Sequence, residues 1–363
     1  MACSGFDGQV VRHDTRIEDL LKKFVCVRLV QANDLDLTLF QFDYDLTFAA
    51  FFLNADRTIY GRFGSRSDMK NAEKDISLEG FRKALAGALE LHKAYPKNKA
   101  ILAGKQPLPV EKKRPEEYAT LAGKYKYKPT IDYEGKTAAS CMHCHQVREA
   151  DRLTYRSENK PIPDQLIYPW PMPTIVGLTL DPKEKAKVTE VSPGSVAAQA
   201  GFQTGDDILM LGGQPMISTA DVQWVLHNAK GPATVDAVLL RGGKSVKLPV
   251  ALPNDWRVKS DIAWRATTWD LRRMATGGLV LKQEPGTNMA LRVDYVGQYD
   301  EHAAGKRAGF KKDDVIVRVA GESRPMTESE LFRLLLQNKL KGEKVPFMVM
   351  RGGEKVELVL PMQ

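Results

Sequence analysis

The residues best suited to chemistry form one short cluster, Cys141-Met142-His143-Cys144-His145. Two cysteines three positions apart on a helical turn point to one face, and a histidine adjoins the second. Cys141 and Cys144 could bond both vinyl-derived carbons of a porphyrin by thioether links, while the imidazole of His145 ligates the iron. The cluster therefore predicts one covalently attached haem of the c type.

Other chemistries stay open for the same residues. Zinc, the alternative cofactor, requires four converging ligands, and the usual second pair of ligands at a matching spacing is absent. Cys141 and Cys144 could also form a redox-active dithiol or a structural disulfide. His143 is predicted to face away from the iron.

The second axial ligand of a haem is less well specified. Met172 lies between two prolines and resembles the proline-flanked methionine of small cytochromes c, although an ordinary linker hydrophobe explains it as well. A five-coordinate iron is also open. Three histidines are further candidates: His92, His227 and His302.

Length and composition limit the class of protein, the number of domains and the kinds of partner that can be expected. A chain of 363 residues with 43% hydrophobic and 27% charged residues predicts two or three globular domains. The formal charge is +8, but the 53 basic residues are interleaved with 45 acidic ones, so we expect no nucleic-acid partner. No apolar run approaches the roughly 18 residues of a membrane helix, so no membrane span is expected in this chain.

An internal repeat organises the C-terminal half. Residues 200–208 (AGFQTGDDI) recur as 308–316 (AGFKKDDVI), and each copy is followed by a helix-like stretch and a Gly-Gly hairpin, at 241–246 and 351–356. Short β-rich runs around one principal helix predict two small β-sandwich or barrel domains. We place them at 174–254, the first module, and 255–363, the second module.

The first module resembles the PDZ domains of bacterial high-temperature-requirement proteases in its glycine loop, 176–179, its Ala-Gly-Phe and its Gly-Asp-Asp-Ile. The resemblance implies that the C-terminus of a protein, or an extended peptide, adds as a strand beside the loop, with its carboxylate held by backbone N–H groups. The second module departs at Asp313-Asp314 and could be structural only. The residues implied in peptide binding are Val176, Gly177, Leu178 and Thr179, with Gly278, Leu279 and Val280 in the second module.

The N-terminal residues 1–104 predict an α/β domain. A helix at 16–24, strands at 25–30, 48–53 and 58–64, and a helix at 77–93 resemble the later portion of a thioredoxin-like domain that is incomplete at its N-terminus. The Cys-x-x-Cys turn of that family would precede Arg16, where only Cys3 occurs, so thiol chemistry is not expected of this domain. Cys26, within an apolar run, is predicted to be a buried small hydrophobe.

These parts together predict a multidomain α+β protein, with residues 105–173 as a linker and a small helical haem-binding segment. We expect electron transfer or redox-associated assembly, with a redox partner protein and with peptides docked by the PDZ-like modules. A PDZ scaffold without haem, or a thiol-disulfide protein using Cys141 and Cys144, are the alternatives. No Gly-Asp-Ser-Gly-like nucleophile turn precedes the first module, so a serine protease is not expected.

A c-type haem also carries an expectation about location. Haem of this kind is attached outside the cytoplasm, which predicts a periplasmic or otherwise extracytoplasmic protein. The start, residues 1–7, lacks the basic and apolar regions of a secretory signal. We therefore expect that a signal has been removed or that the start is truncated.

Overall fold

A computed structural model of the chain describes residues 14–68, 74–284 and 290–363. The chain folds into two compact units. The first unit contains the residues up to 117, 121–144 and 169–260, and the second contains 118–120, 145–168 and 261–363. Within the described residues, no helix is long and apolar enough to cross a membrane. Cys3 lies outside the described residues.

The N-terminal part of the first unit contains helices packed on a hairpin. Its elements are α1 (Thr15–Leu21), β1 (Ala50–Leu53), β2 (Ile59–Phe63), α2 (Leu78–Ala94) and α3 (Lys99–Leu102). Helix α2 begins at Ser77, whose hydroxyl accepts a hydrogen bond from the Gly80 N–H and so satisfies one of the free donors of the first turn. The apolar face of α2 packs through Phe81 and Ala84 against the antiparallel β1–β2 pair.

The strand predicted at 25–30 is wrong. These residues form no regular secondary structure and pair with no strand, and Val25 and Val27 are 95% and 79% exposed. A run of high β propensity becomes a strand only when a neighbour supplies the ladder hydrogen bonds, and the described residues supply none here. For the same reason Cys26, predicted to be buried, is exposed.

The connecting segment is helical, as predicted, but more continuous than expected. Its elements are 3-10 turns at Ala103–Lys105 and Pro115–Glu117, a π turn at Thr120–Lys124, and helices α4 (Thr137–Ser140), α5 (Cys144–Ser157) and α6 (Asp164–Ile167). Helix α5 buries arginines at a spacing of four, and two of them reach carbonyl groups within the second unit. Arg152 donates to the Thr267 carbonyl, and Arg156 donates to the Lys339 carbonyl, both at 2.7 Å.

The first module forms two sheets around one core. Its elements are a 3-10 turn (Pro173–Val176), β3 (Leu178–Leu180), β4 (Val188–Val191), α7 (Val196–Ala200), β5 (Asp207–Leu211), β6 (Gln214–Pro215), α8 (Thr219–Asn228), β7 (Ala233–Arg241), β8 (Lys244–Leu252) and a 3-10 turn (Trp256–Lys259). Strands β3 and β4 pair with each other, and the other sheet has the order β6-β5-β7-β8. Leu178 and Leu226 belong to the same buried cluster, so β3 and α8 contribute to one core.

The second module repeats this order with one continuous sheet, β13-β12-β11-β10-β9. Its elements are α9 (Thr268–Thr276), β9 (Leu279–Gln283), β10 (Leu291–Val296), a 3-10 turn (Asp300–Ala303), α10 (Ala304–Arg307), β11 (Val315–Val319), α11 (Glu328–Asn338), β12 (Lys344–Arg351) and β13 (Glu354–Pro361). The β9 strand lies at the edge of the sheet.

The aspartate and the arginine that recur in the two repeats form the same ion pair in both modules. Asp206 is buried and accepts two hydrogen bonds from Arg241, at 2.7 and 2.8 Å, and Asp314 accepts two from Arg351 at 2.7 Å. Each pair ties the Ala-Gly-Phe turn to the start of the Gly-Gly hairpin. Asp313, which departs from the Gly-Asp pattern, adopts a φ of 69°, close to the 94° of Gly205. Aspartate tolerates this left-handed region, so the fold survives the substitution.

Candidate functional site

The predicted peptide-binding loop of the first module is a 3-10 turn that ends at Gly177. Gly177 has a φ of 89°, and a Cβ there would lie 2.1 Å from the Ser195 hydroxyl, so only glycine fits. Its N–H donates to the Thr174 carbonyl at 3.0 Å, and its carbonyl accepts from the Ser192 N–H at 2.9 Å. The Gly177 N–H is thus engaged within the loop.

Strand β3, which follows the loop, has an unpaired outer edge. Because the Gly177 carbonyl faces β4, the alternation of an antiparallel pair directs the N–H and C=O groups of Leu178 and Leu180 to the other side. No strand among the described residues pairs there. A free edge of this kind can accept an added strand.

Helix α8 and strand β3 both contribute to the core of the module, and we call the region between them the β3–α8 groove. The helix begins at Thr219, a short side chain, after the N-cap Ser218. The Gln223 amide donates to the Trp170 carbonyl at 3.0 Å and to the Met172 sulfur at 3.3 Å. These bonds hold the segment that precedes the loop against the helix.

The corresponding loop of the second module is the C-terminal end of α9. The N–H of Gly277 donates to the Arg273 carbonyl at 3.2 Å, and that of Gly278 donates to the Arg272 carbonyl at 2.9 Å. Both N–H groups therefore cap the helix, and the negative end of the helix dipole disfavours an anion at this position. The N–H of Gly278, one of the predicted peptide-binding residues, is thus engaged within the chain, as that of Gly177 is in the first module.

A side chain also occupies the outer edge of β9. The Leu281 N–H, equivalent to that of Leu180, donates to Glu328 Oε1 at 2.9 Å. The Glu328 carboxylate is held by Arg272 through two bonds of 3.0 and 2.7 Å, and both side chains are nearly buried. Glu328 is the first residue of α11, as Thr219 is of α8. An ion pair thus occupies the outer edge of β9 in the second module.

Arg272 and Glu328 were not predicted from the sequence. Aligning the two repeats at the ends of their main helices, Asn228 and Asn338, places Glu328 opposite Ser218, but a glutamate at the start of a helix is usually explained by the helix dipole. Only the tertiary structure shows that this carboxylate turns to the strand edge. The predicted Leu279 and Val280 lie on β9 beside it.

The cysteine cluster lies where α5 begins, at Cys144. The prediction that both cysteines lie on one helical turn is wrong, because Cys141 is extended and residues 141–143 are not helical. Met142 is fully buried; its N–H donates to Asn33 Oδ1 at 2.7 Å and its carbonyl accepts from the Ala32 N–H at 2.8 Å. These contacts anchor the segment between the cysteines, so Cys141 and Cys144 remain partly exposed and free of a disulfide. Burial raises the pKa of the Cys144 thiol to about 11, which disfavours the thiolate needed for disulfide exchange.

His145 is oriented by a carboxylate one turn further along α5. Its Nδ1 lies 3.0 Å from Glu149 Oε1, an arrangement in which Nε2 is the ring nitrogen suited to a metal. The residues present therefore fit a haem ligand. Within residues 14–68, 74–284 and 290–363, no group of three or more His, Cys, Asp and Glu side chains converges as a metal site.

The candidate second ligands have other contacts. The Met172 sulfur accepts hydrogen bonds from Ser65 at 3.4 Å and from Gln223, and His92 Nδ1 lies 2.9 Å from the Tyr60 hydroxyl. His227 stacks on Trp170 at 5.0 Å. Burial lowers the pKa of His302, and Arg273 acts in the same direction. Met172 as an axial ligand stays a prediction.

Comparison with known families identifies the first module. Residues 167–252 match the family model described as "PDZ domain". This match confirms the predicted class of the module, and it extends a few residues further toward the N-terminus than the sequence pattern did.

The similar curated proteins are named as serine endoproteases of bacteria. A probable periplasmic serine endoprotease DegP-like of Pseudomonas savastanoi is 27% identical over 177 residues, covering 48% of this chain and 36% of that protein. The periplasmic pH-dependent serine endoprotease DegQ of Escherichia coli is 29% identical over 181 residues, covering 50% and 37%. The serine endoprotease DegS of Haemophilus influenzae is 39% identical over 70 residues, covering 19% and 21%. The chain spans about a third or less of the length of these relatives.

Among solved structures, the serine endoprotease from Yersinia pestis is 31% identical, covers 22% of this chain and 28% of that chain, and has a TM-score of 0.20.

Proposed function

We propose that the first module docks the C-terminus of a partner protein in the β3–α8 groove. The observation that carries this proposal is the free outer edge of β3, at which Leu178 and Leu180 present backbone groups beside the Gly177 loop. Main-chain hydrogen bonds along such an edge give affinity, and side-chain pockets give specificity. The second module, whose equivalent edge is occupied by Glu328, acts as a structural partner domain.

The test is a library of decapeptides with free C-termini, screened against the whole chain and followed by titration of the enriched sequences. We expect binding that disappears when the C-terminus is amidated. Leu180→Pro removes the outward N–H while leaving the β3–β4 bonds in place, so it should weaken binding at least tenfold. The matched control is Leu281→Pro in the second module, which should leave binding unchanged. A library that enriches no peptide, or equal losses in both variants, would remove the docking role.

A second function is favoured by the geometry of the cysteine cluster. We propose that Cys141 and Cys144 hold a covalent haem whose iron is ligated by His145, with Glu149 fixing the orientation of the imidazole. The Nδ1–Oε1 distance of 3.0 Å supports this proposal, as does the anchoring of Met142 away from the two thiols. When bound, a haem would supply one-electron transfer to a redox partner protein.

This proposal is tested by expressing the chain in a host with cytochrome c maturation. We expect a c-type visible spectrum and haem staining after denaturing electrophoresis, both lost in Cys144→Ser. Cys26→Ser is the matched control and should retain the stain. Absence of covalent haem in the mature chain would overturn the haem assignment and leave peptide docking standing.

A cellular location and a role for the N-terminal part complete the proposal. Two of the similar curated proteins named above are called periplasmic, and c-type haem is attached outside the cytoplasm, so an extracytoplasmic location is proposed for this chain. A non-catalytic thioredoxin-like scaffold is proposed for the N-terminal part. Its support is the order of helix, hairpin and helix along the sequence.

A further inference from the structure

One helix of the N-terminal part lies across the end of the β3–α8 groove that is remote from the loop. The Ser77 hydroxyl, at the start of α2, donates to the Pro182 carbonyl at 2.7 Å. A Cβ on Gly80 would lie 2.2 Å from the same carbonyl oxygen, so the helix backbone is packed directly on the turn that follows β3. This turn is the end of one groove wall.

The same helix also contacts the start of the other wall. Ile217 precedes α8 and is buried in the N-terminal core beside Phe81. A Cβ on Gly87 would lie 3.0 Å from Ile217, so the two surfaces are in close contact there as well. Gly80 and Gly87 are separated by about 10 Å along the helix axis. Helix α2 therefore spans the gap between the two walls.

Ion pairs on the flanks of α2 hold the β3–β4 turn in this position. Lys83 pairs with Glu184 in a short contact, and the Lys185 ammonium lies 3.2 Å from the Glu90 carboxylate. A lysine of the helix thus pairs with a glutamate of the turn, and a lysine of the turn pairs with a glutamate of the helix. Helix α2 is therefore held on the β3–β4 turn both by close packing and by two ion pairs.

We propose that the groove is blind and accepts only about the last three residues of a free C-terminus. Strand β3 has three residues, Leu178–Leu180, and a ligand running antiparallel from the loop would meet Pro182 and α2 with its fourth residue. Upstream residues of the ligand must turn out of the groove, so they add no strand pairing. The partner is therefore a protein with a free, protruding C-terminus; an internal extended segment cannot pass through. This inference rests on the proposed docking function.

The test is a length series of one enriched sequence, with three, four, six and ten residues sharing the same C-terminal residues, titrated against the whole chain. We expect dissociation constants that agree within about threefold from four to ten residues, because no ladder hydrogen bond is added beyond α2. Affinity that rises tenfold or more over this range would overturn the blind groove while leaving docking intact. Absence of binding at every length would overturn both.

A variant that displaces the helix gives a second measurement. Gly80→Ala places a methyl group against the Pro182 carbonyl, and because neither backbone can yield easily, α2 should move away from the turn. We then expect the ten-residue peptide to bind at least fivefold more tightly than the four-residue peptide. Lys93→Ala, at the exposed end of the same helix, is the matched control and should keep the flat length profile. A Gly80→Ala protein with folded α2 and a flat profile would contradict the closure.

Discussion

Each module is stabilised by an ion pair of a buried aspartate, which in the first module is Asp206. Burial acts to raise the pKa of Asp206, but hydrogen bonds from Arg241 and from the Gln203 N–H outweigh it, so the pKa is lowered from its ordinary 3.8. The unfolded chain binds a proton at this carboxyl more readily than the folded chain does. The pair therefore contributes stability above about pH 4 that is lost as the pH falls through the folded pKa.

Asp206→Asn should lower the free energy of unfolding by about 3 kcal/mol at pH 7, because it leaves the guanidinium of Arg241 without its charge partner. The loss relative to the unsubstituted chain should shrink as the pH falls from 4 to 2. Urea denaturation at pH 7, 4 and 2 measures both effects. Glu158→Gln, which removes an exposed pair with Lys160, should cost under about 0.5 kcal/mol at any of these pH values. A loss at Asp206 that is independent of pH would contradict the ion-pair account.

Thiol reactivity is also decided at single residues. Because burial raises the pKa of Cys144 to about 11, its thiolate is scarce at neutral pH, whereas Cys26 is exposed. In haem-free protein at pH 7.5, iodoacetamide should modify Cys26 first and Cys144 at least tenfold more slowly. Peptide mass spectrometry over a time course gives both rates. Faster labelling of Cys144 would favour the thiol-disulfide alternative.

At the scale of elements, the two repeats differ at the outer edge of their first strand. The outer edge of β3 has no paired strand among the described residues, whereas that of β9 is occupied by Glu328, which accepts the Leu281 N–H and is fixed by Arg272. Two modules with the same strand order thus present different edges. A repeat in the sequence does not imply a repeat in function.

Glu328→Thr should free the Leu281 N–H and give the second module a first detectable affinity for peptides with free C-termini. The same change leaves Arg272 without its carboxylate, which should cost about 3 kcal/mol of stability, so Arg272→Met combined with Glu328→Thr is the better-folded version. Peptide titration in a Leu180→Pro background isolates the second module. Glu330→Gln, in the capping box of the same helix, is the matched control and should give no binding. Continued absence of binding in the double variant would show that the α9 loop alone prevents docking.

At the scale of the whole molecule, the N-terminal part and the first module share a buried charge network. Lys105 and Asp221 are both fully buried and lie 2.7 Å apart, and Asp221 also accepts the Arg62 N–H at 3.1 Å. The Arg62 guanidinium stacks 3.8 Å over Trp224. Burial lowers the pKa of Lys105, although Asp221 opposes the shift. Residues far apart in sequence are therefore held as one unit.

Asp221→Asn should destabilise the first unit by about 3 to 5 kcal/mol, because it leaves Lys105 buried without its counter-charge. Hydrogen exchange should quicken together in α2 and α8, since both depend on the same network, and should stay unchanged in α11 of the second unit. Mass spectrometry of the exchanged chain reads all three helices at once. The matched change Asp164→Asn, which removes a half-exposed pair with Arg333, should leave α2 and α8 unaffected. Faster exchange in α8 alone would mean that the N-terminal part folds independently.

The amino-acid sequence by itself determined the two modules, because their repeated Asp and Arg residues and their Gly-Gly turns act over short distances and leave a pattern. It also determined the helix at 77–93, but the helical turn expected to carry both Cys141 and Cys144 is wrong, because residues 141–143 are not helical and α5 begins at Cys144. The strand at 25–30 could not be settled in this way, because a strand depends on a neighbour that propensity does not reveal. Likewise, only the tertiary structure decided that Glu328 closes one groove and that α2 ends the other, since both contacts join residues distant in sequence and depend on which surfaces meet.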